Sequence, residues 1–164
     1  QIATGEAASH ERPSCSCYQI LVLGLDGAGK SSIIHYICST EAKMHIAPTQ
    51  GFNSAQLQAN GLQMDLLEVG GSQNLRSYWN HYLSKAHVLV FVVDSADGLR
   101  LHTARQELHG LLAEDPQLPL IVLANKQVGL FFHLGLSTET FLNLGPTDVL
   151  ELQLPSSLTI GHSG

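Results

Sequence analysis

The segment Gly24–Ser31 has the residue types and spacing of a loop that binds phosphate. It reads Gly-Leu-Asp-Gly-Ala-Gly-Lys-Ser and matches the pattern G-x-x-x-x-G-K-[ST]. In that pattern, backbone N–H groups surround a polyphosphate. Gly24 and Gly29 permit dihedral angles that a side chain would forbid. The ammonium of Lys30 then reaches the terminal phosphates, and the hydroxyl of Ser31 binds Mg²⁺.

The residues on either side of the loop decide between a phosphate site and an ordinary glycine-rich turn. Tyr18–Leu23 is a short, mostly apolar run typical of a strand, and Ser31–Ile37 continues as a helix. The order of strand, loop and helix points the helix N-terminus, with its partial positive charge, at a bound anion. We therefore predict a phosphate-binding loop with Mg²⁺ as its metal.

Composition argues against several other classes of function. The chain has 164 residues, of which 44% are hydrophobic and 13% charged, and its net charge is −6. That balance suits one domain with a substantial core and argues against a nucleic-acid surface. No apolar run approaches the length of a membrane span. Three cysteines without framework spacing indicate a reducing compartment, so we expect an intracellular, cytoplasmic protein. No histidine pair has the spacing of a zinc-binding helix, so we expect no metal besides Mg²⁺.

Alternating strands and helices predict an α/β fold. The runs 54–59 and 62–68 alternate in polarity on either side of Asn60-Gly61, which is a strong hairpin signal. Val88–Val93 and Leu118–Ala124 are continuous apolar runs, typical of strands that are buried on both faces of a parallel sheet. A helix with one apolar side lies between them. We predict a mostly parallel sheet that is flanked by helices.

Polar residues follow the predicted strands at the points where they end. Gly24, Glu68, Asp94 and Asn125 all fall at or just past such ends. In an open α/β sheet, ligands bind outside the carboxyl ends of the strands. One pocket around the phosphate loop is therefore expected to collect these four positions.

Both ends of the chain depart from this pattern. Residues 1–17 are small, polar and aperiodic, and we expect a flexible leader there. Residues 18–127 hold the predicted domain. In 128–164 we recognise one strand-like run, Val149–Leu154. We therefore expect a domain that lacks its last strand and helix, followed by an atypical tail that either folds or is disordered.

Together these motifs resemble small GTPases of the ADP-ribosylation-factor-like (Arf-like) family. The similarity runs in order through Gly24–Ser31, Pro48–Asn53, Gly70-Gly71, Asp94–Asp97 and Ala124–Lys126. It is greatest to the divergent branch of Arf-like proteins nine and ten. The resemblance implies a Ras-like P-loop NTPase fold and a switch that binds GTP or GDP with Mg²⁺.

The resemblance also implies a role for individual residues. Ser31 and Thr49 would bind Mg²⁺, and Glu68 would act on the metal through a bound water. Gly71 would donate its N–H to the γ-phosphate. The nucleotide-binding residues that the resemblance implies are Gly24, Asp26, Gly27, Ala28, Gly29, Lys30, Ser31, Ser32, Gly71, Asn125 and Lys126.

Three positions depart from the family pattern. Glu68 stands where the family has Asp, and its extra methylene shifts the carboxylate by about one C–C bond length. Ser72 takes the place of the Gln that orients the attacking water, and it is too short for that task. Val128 replaces an Asp that accepts two hydrogen bonds from guanine; losing such a partner lowers selectivity by roughly 10⁴. We expect slow or absent hydrolysis and assign no catalytic residue.

Three functions are compatible with these residues. The first is a nucleotide-binding switch with weak or absent hydrolysis. The second is a non-cycling pseudo-GTPase that acts as a binding or scaffold module, which Ser72 and Val128 favour. The third is a P-loop kinase or ATPase, which is disfavoured because Pro48–Asn53 and Gly70-Gly71 fit switch segments. The resemblance implies effector or regulatory proteins as partners at those segments. Membrane association has no support from 1–17, which shows no amphipathic stripe.

Overall fold

A six-stranded sheet forms the centre of the fold. The computed structural model describes residues 17–38, 51–126 and 149–153. Its strands and helices, in chain order, are β1 (Cys17–Leu23), α1 (Lys30–Cys38), β2 (Phe52–Ala59), β3 (Leu62–Val69), α2 (Gln73–Arg76), α3 (Trp79–Leu83), β4 (Val88–Asp94), α4 (Leu101–Glu114), β5 (Leu120–Asn125) and β6 (Val149–Gln153).

The sheet is mostly parallel, as the sequence predicts. Its strand order is β2-β3-β1-β4-β5-β6, and β2–β3 is the one antiparallel pair among these strands. The predicted hairpin joins β2 to β3. Asn60 and Gly61 have φ angles of 50° and 78°, which fit the tight turn that Asn-Gly favours. The parallel pairs place the carboxyl ends of β1, β3, β4 and β5 along one edge of the sheet.

The sheet contains a strand that we expected to be missing. β6 pairs in parallel with β5, from Leu120 opposite Val149 to Ala124 opposite Gln153. The expectation of a missing last strand is therefore wrong. The free edge of β5 offers backbone groups that need partners, and the strand-like run Val149–Leu154 can supply them. The expectation that the last helix is also missing lies outside the described residues. The predicted domain boundaries around residues 17 and 127 stay a prediction.

Each face of the sheet has its own apolar core, because side chains alternate along a strand. One core joins β1 and β4 to α3 and α4 through Leu21, Phe91, Trp79 and Leu108. The opposite core joins the same two strands to α1 through Val22, Val92 and Ile34. The strands at the centre are thus buried on both faces.

No helix in the described ranges is long and apolar enough to cross a membrane.

Trp79 fixes the segment that follows β3. Its ring is buried against Phe91 in an edge-to-face contact, with 6.2 Å between the ring centres. Its indole N–H donates a hydrogen bond to the carbonyl oxygen of Gly70 at 3.0 Å. Since Gly70 directly follows β3, this bond holds the end of β3, and the residues after it, against the edge where the strands end.

Candidate functional site

The phosphate loop connects the carboxyl end of β1 to the first turn of α1. Gly29, its last glycine, has a φ of 97°, which L side chains rarely adopt. A Cβ at Gly29 would also overlap the side-chain nitrogen of Asn125. Glycine at this position therefore lets β5 approach the loop closely. The loop leads into the N-terminus of α1, where backbone N–H groups favour an anion.

Lys30 is buried inside the loop. Its ammonium donates hydrogen bonds to the carbonyl oxygens of Gly24 at 2.9 Å and Leu25 at 3.0 Å, and the residue is 5% exposed. Burial lowers the pKa of Lys30 below its ordinary value of 10.5, and the nearby carboxylates of Glu68 and Asp26 oppose that shift. An anionic phosphate beside this ammonium would compensate the cost of burying its charge.

Ser31 and Glu68 form the part of the site that suits a cation. The Ser31 hydroxyl lies 2.8 Å from one carboxylate oxygen of Glu68 and 2.9 Å from the other. Glu68 is 1% exposed, which is unusual for a carboxyl side chain. Hydroxyl and carboxylate oxygens are the hard ligands that Mg²⁺ prefers, usually together with phosphate oxygens and water. The residues present therefore fit the implied Mg²⁺.

Within residues 17–38, 51–126 and 149–153, no group of three or more His, Cys, Asp or Glu could hold a metal ion by itself. A metal at Ser31 and Glu68 would accordingly need further oxygen ligands from the nucleotide or from water. The family resemblance assigns one more ligand to Thr49, which lies outside the described residues.

Asn125 and Lys126 attach the end of β5 to the phosphate loop. The side-chain amide of Asn125 donates to the carbonyl oxygen of Ala28 at 2.9 Å. The ammonium of Lys126 donates to the carbonyl oxygen of Gly27 at 2.7 Å and to Asp94 at 2.8 Å. Two segments that are remote in sequence thus form one surface beside the loop.

The backbone of Gly71 lies directly on the loop. A Cβ at Gly71 would overlap the carbonyl oxygen of Gly24 and backbone atoms of Leu25 and Asp26. The segment after β3 therefore touches the same loop as β5 does. The backbone of Gly71 is thus adjacent to the phosphate loop, and its predicted contact with the γ-phosphate stays a prediction.

Ser72 takes the place of the glutamine that orients the attacking water in the family pattern. Its Oγ lies 2.8 Å from the side-chain oxygen of Asn74, to which it donates. Ser72 precedes α2, and it makes no side-chain capping bond to that helix. Gln73, the next residue, is exposed. The Ser72 hydroxyl is therefore engaged within its own segment.

The arginine Arg76 is a site residue that the sequence analysis missed. Its Nε donates to the carbonyl oxygen of Gly71 at 2.9 Å, and its Nη1 donates to Glu107 of α4 at 3.2 Å. Its Nη2 lies 3.7 Å from a carboxylate oxygen of Asp26 in the loop. One guanidinium thus bridges the phosphate loop, the segment after β3 and α4.

Arg100 contacts the same carboxylate oxygen of Asp26 as Arg76 does, and it was also missed. Its Nη1 donates to Asp26 at 3.0 Å, and its Nε donates to Asp97 at 2.6 Å. No spacing rule connects residues 26, 76 and 100. The scarcity of cations was the available signal, since the whole chain has eight Lys and Arg residues. Each of them in a motif region merits attention.

The structure brings together most of the predicted site. The loop, Glu68, Gly71, Asn125 and Lys126 are adjacent, and Ser32 lies half-buried in the first turn of α1. Thr49 and Val128 lie outside the described residues.

A comparison with protein families decides the identity of this arrangement. The sequence profile of the ADP-ribosylation factor family matches residues 10–130. The chain belongs to the ADP-ribosylation factor family. The predicted Arf-like resemblance is confirmed. Small GTPases of this family bind GTP or GDP with Mg²⁺ and act with effectors and regulators, which implies a GTP-binding switch function.

Curated relatives place this Arf-family chain near the predicted branch. ADP-ribosylation factor-like protein 9 from Homo sapiens is 52% identical over 125 residues, which cover 76% of this chain and 67% of that protein. ADP-ribosylation factor-like protein 10 from Mus musculus is 51% identical over 109 residues, which cover 66% of this chain and 45% of that protein. The chain therefore spans between about half and two thirds of the length of these relatives.

Solved structures show the same fold at lower identity. The Arl6 small GTPase from Trypanosoma brucei, solved with the nucleotide analogue GppNp, superposes with a TM-score of 0.66 at 23% identity, covering 84% of this chain and 87% of that one. The mammalian SRP receptor gives a TM-score of 0.66 at 21% identity, with coverages of 82% and 89%. These likenesses confirm the predicted Ras-like α/β fold.

Proposed function

We propose that this Arf-family chain is a GTP/GDP switch domain whose own hydrolysis is slow or absent. The observation that carries the proposal is the preassembled phosphate half of the site. Lys30 is buried in the loop, Ser31 faces a buried carboxylate, and Asn125 is bonded to the loop backbone. Such a constellation has a physical purpose when a polyphosphate and its metal bind there.

Each residue then has a definite task. Lys30 exchanges its carbonyl partners for phosphate oxygens, which neutralises charge on both sides. Ser31 and Glu68 would hold Mg²⁺, which would supply positive charge to neutralise the phosphates. The backbone of Gly71 lies against the loop, and its N–H would donate a hydrogen bond to the γ-phosphate. Loss of that phosphate releases the contact, which is the order–disorder logic of GTPase switches.

Slow hydrolysis follows from the segment after Gly71. Rapid hydrolysis needs a side chain that orients the attacking water. The hydroxyl of Ser72 is engaged with Asn74, and a serine side chain is shorter than the glutamine that the family uses there. We therefore infer that a partner protein supplies the missing group when turnover is required.

A second candidate is a non-cycling binding module, which the Ser72–Asn74 contact also favours. Here the domain would bind nucleotide permanently, or not at all, and would act as a scaffold. The replacement of an Asp by Val128 removes two acceptors for guanine, so we expect weaker guanine selectivity than is usual in the family. A P-loop kinase or ATPase is the remaining alternative.

We further propose effector or regulatory proteins as partners, at the segments around Gly71 and the exposed Phe52, which is 67% exposed at the start of β2. Large exposed aromatic side chains favour protein contacts. An intracellular, cytoplasmic location is part of the same proposal, because the unpatterned cysteines suit a reducing compartment.

Titration with fluorescent GTP, GDP and ATP analogues, each with and without Mg²⁺, tests the proposal. We expect Mg²⁺-dependent binding that favours guanine, together with a single-turnover hydrolysis rate near the background. Absence of binding would favour the scaffold, and an adenine preference would favour the kinase or ATPase. Lys30→Met is the matched control, since it keeps the unbranched stem of the side chain and removes the charged amine.

A further inference from the structure

Glu68 reaches further into the site than an aspartate could from the same position on β3. Its side chain is buried at 1% exposure. Both of its carboxylate oxygens contact the hydroxyl of Ser31, at 2.8 Å and 2.9 Å. An aspartate lacks one methylene and would end about 1.5 Å earlier, the length of one C–C bond.

The spacing between these oxygens suits two ligands on one metal ion. Mg²⁺ takes near-octahedral geometry with ligand oxygens at about 2.0–2.1 Å, so two neighbouring ligands lie about 2.8–3.0 Å apart. The measured separations between Ser31 and Glu68 fall in that range. An oxygen that stands one bond length further back would leave room for a water between carboxylate and metal.

We propose that Glu68 is a direct ligand of the bound Mg²⁺, in place of the water-mediated contact that the family pattern implies. One oxygen of Glu68 binds the metal beside Ser31, and the other keeps the hydrogen bond from the Ser31 hydroxyl. The inference rests on the proposed function, because phosphate oxygens complete the same metal site. It predicts one bound water fewer on the metal than a chain with aspartate has.

The surroundings of Glu68 support a charged ligand there. The ammonium of Lys30 is close enough to act electrostatically on Glu68. The side-chain amide of Asn53 approaches the second carboxylate oxygen at 3.5 Å. Buried charges persist in proteins when they are paired or coordinate metals. A cation bound at Ser31 would be a partner of this kind for the Glu68 carboxylate.

Counting water on a paramagnetic substitute tests the inference. The protein is loaded with GDP and Mn²⁺, and electron paramagnetic resonance in ¹⁷O-enriched water counts the waters that are bound to Mn²⁺. We expect one water fewer in the wild type than in Glu68→Asp. Equal counts in the two proteins would overturn the inference and leave the nucleotide-binding proposal intact.

A charge-matched pair of variants gives a second readout if Glu68→Asp fails to fold. Glu68→Gln and Asp65→Asn each remove one carboxylate from β3, but Asp65 lies on the opposite face of the sheet. We expect Glu68→Gln to raise, at least tenfold, the Mn²⁺ concentration that half-saturates retention of fluorescent GDP. Asp65→Asn is expected to leave it unchanged. An unchanged value in Glu68→Gln overturns the inference, while a wild type that binds no nucleotide overturns both proposals.

Discussion

The guanidinium of Arg76 donates a hydrogen bond from its Nε to the carbonyl oxygen of Gly71, at 2.9 Å. The same side chain donates to Glu107 at 3.2 Å and lies 3.7 Å from Asp26. Arg76 is therefore a link between the phosphate loop and the segment after β3, which we propose senses the γ-phosphate. If Gly71 moves, its hydrogen bond to Arg76 must break or the Arg76 side chain must move with it.

Replacing Arg76 is expected to cost more stability than replacing Arg100. The Arg76 side chain is 14% exposed and the Arg100 side chain is 40% exposed. A hydrogen bond to a charged group contributes about 2 kcal/mol when it is shielded, whereas exposed ion pairs contribute about 0–1 kcal/mol. Urea unfolding of Arg76→Ala and Arg100→Ala measures both values.

The two variants change the net charge equally, so each controls for the other. Arg76→Lys separates geometry from charge, because an ammonium cannot reproduce the fork of a guanidinium. We expect little rescue by Arg76→Lys. Full rescue, or equal losses in the two alanine variants, would contradict the link that is described for Arg76.

Gly71→Ala is expected to destabilise the domain and to weaken binding of a GTP analogue. The added Cβ would overlap backbone atoms of Gly24, Leu25 and Asp26, and backbone yields less readily than a side-chain end. Overpacking of this kind costs about 1–3 kcal/mol. Thermal melts with and without a GTP analogue provide the measurement.

Gly110→Ala is the matched control for Gly71→Ala. Gly110 lies inside α4, and a Cβ there meets nothing within 4 Å. Alanine in a helix interior is favoured over glycine by about 0.5–1 kcal/mol, so this variant is expected to be more stable than the wild type. Similar shifts in both variants would show that Gly71 is not closely packed.

The sequence predicts the parts of the site that lie within single motifs. The loop, its strand and its helix follow from local pattern, and Asn125 and Lys126 lie at a strand end where a parallel sheet must bring them to the loop. The bridge from Arg76 to Asp26 could not be predicted, because side-chain reach across 50 residues leaves no spacing signal. β6 was discounted because the segments around it break the alternation of strand and helix.

Burial of Lys30 predicts a specific dependence of stability on pH. Its pKa is lowered in the folded state from 10.5, and desolvation is the largest cause. The unfolded chain therefore binds more protons between the lowered pKa and 10.5. Stability rises with pH across that window, and the penalty for burying the charge is complete below it.

Lys30→Met is expected to remove this rise in the nucleotide-free protein. Unfolding in guanidinium chloride at several pH values, from neutral up to about 10.5, gives the slope of the unfolding free energy against pH for the wild type and the variant. The variant should also lose stabilisation by added GDP and Mg²⁺, because the phosphate partner is gone. Identical slopes in both proteins would show that Lys30 is not desolvated as the structure indicates.

Ser72→Gln is expected to accelerate hydrolysis of bound GTP without changing its affinity. The longer amide side chain can reach and orient a water from the position that Ser72 occupies before α2. A positioned group of this kind contributes roughly 10²-fold or more to rate. Single-turnover measurement of phosphate release from preloaded protein isolates this step from nucleotide exchange.

Gln73→Ala separates Ser72 from its neighbour. Gln73 is exposed and has an amide of the required length. If the residual hydrolysis of the wild type depended on Gln73, it would disappear in this variant. We expect Gln73→Ala to leave the rate unchanged, because a shift of one residue aims the side chain elsewhere.

If Ser72→Gln binds GTP normally and stays as slow as the wild type, the cause of slow turnover lies outside position 72. The non-cycling scaffold would then be the better account of this domain.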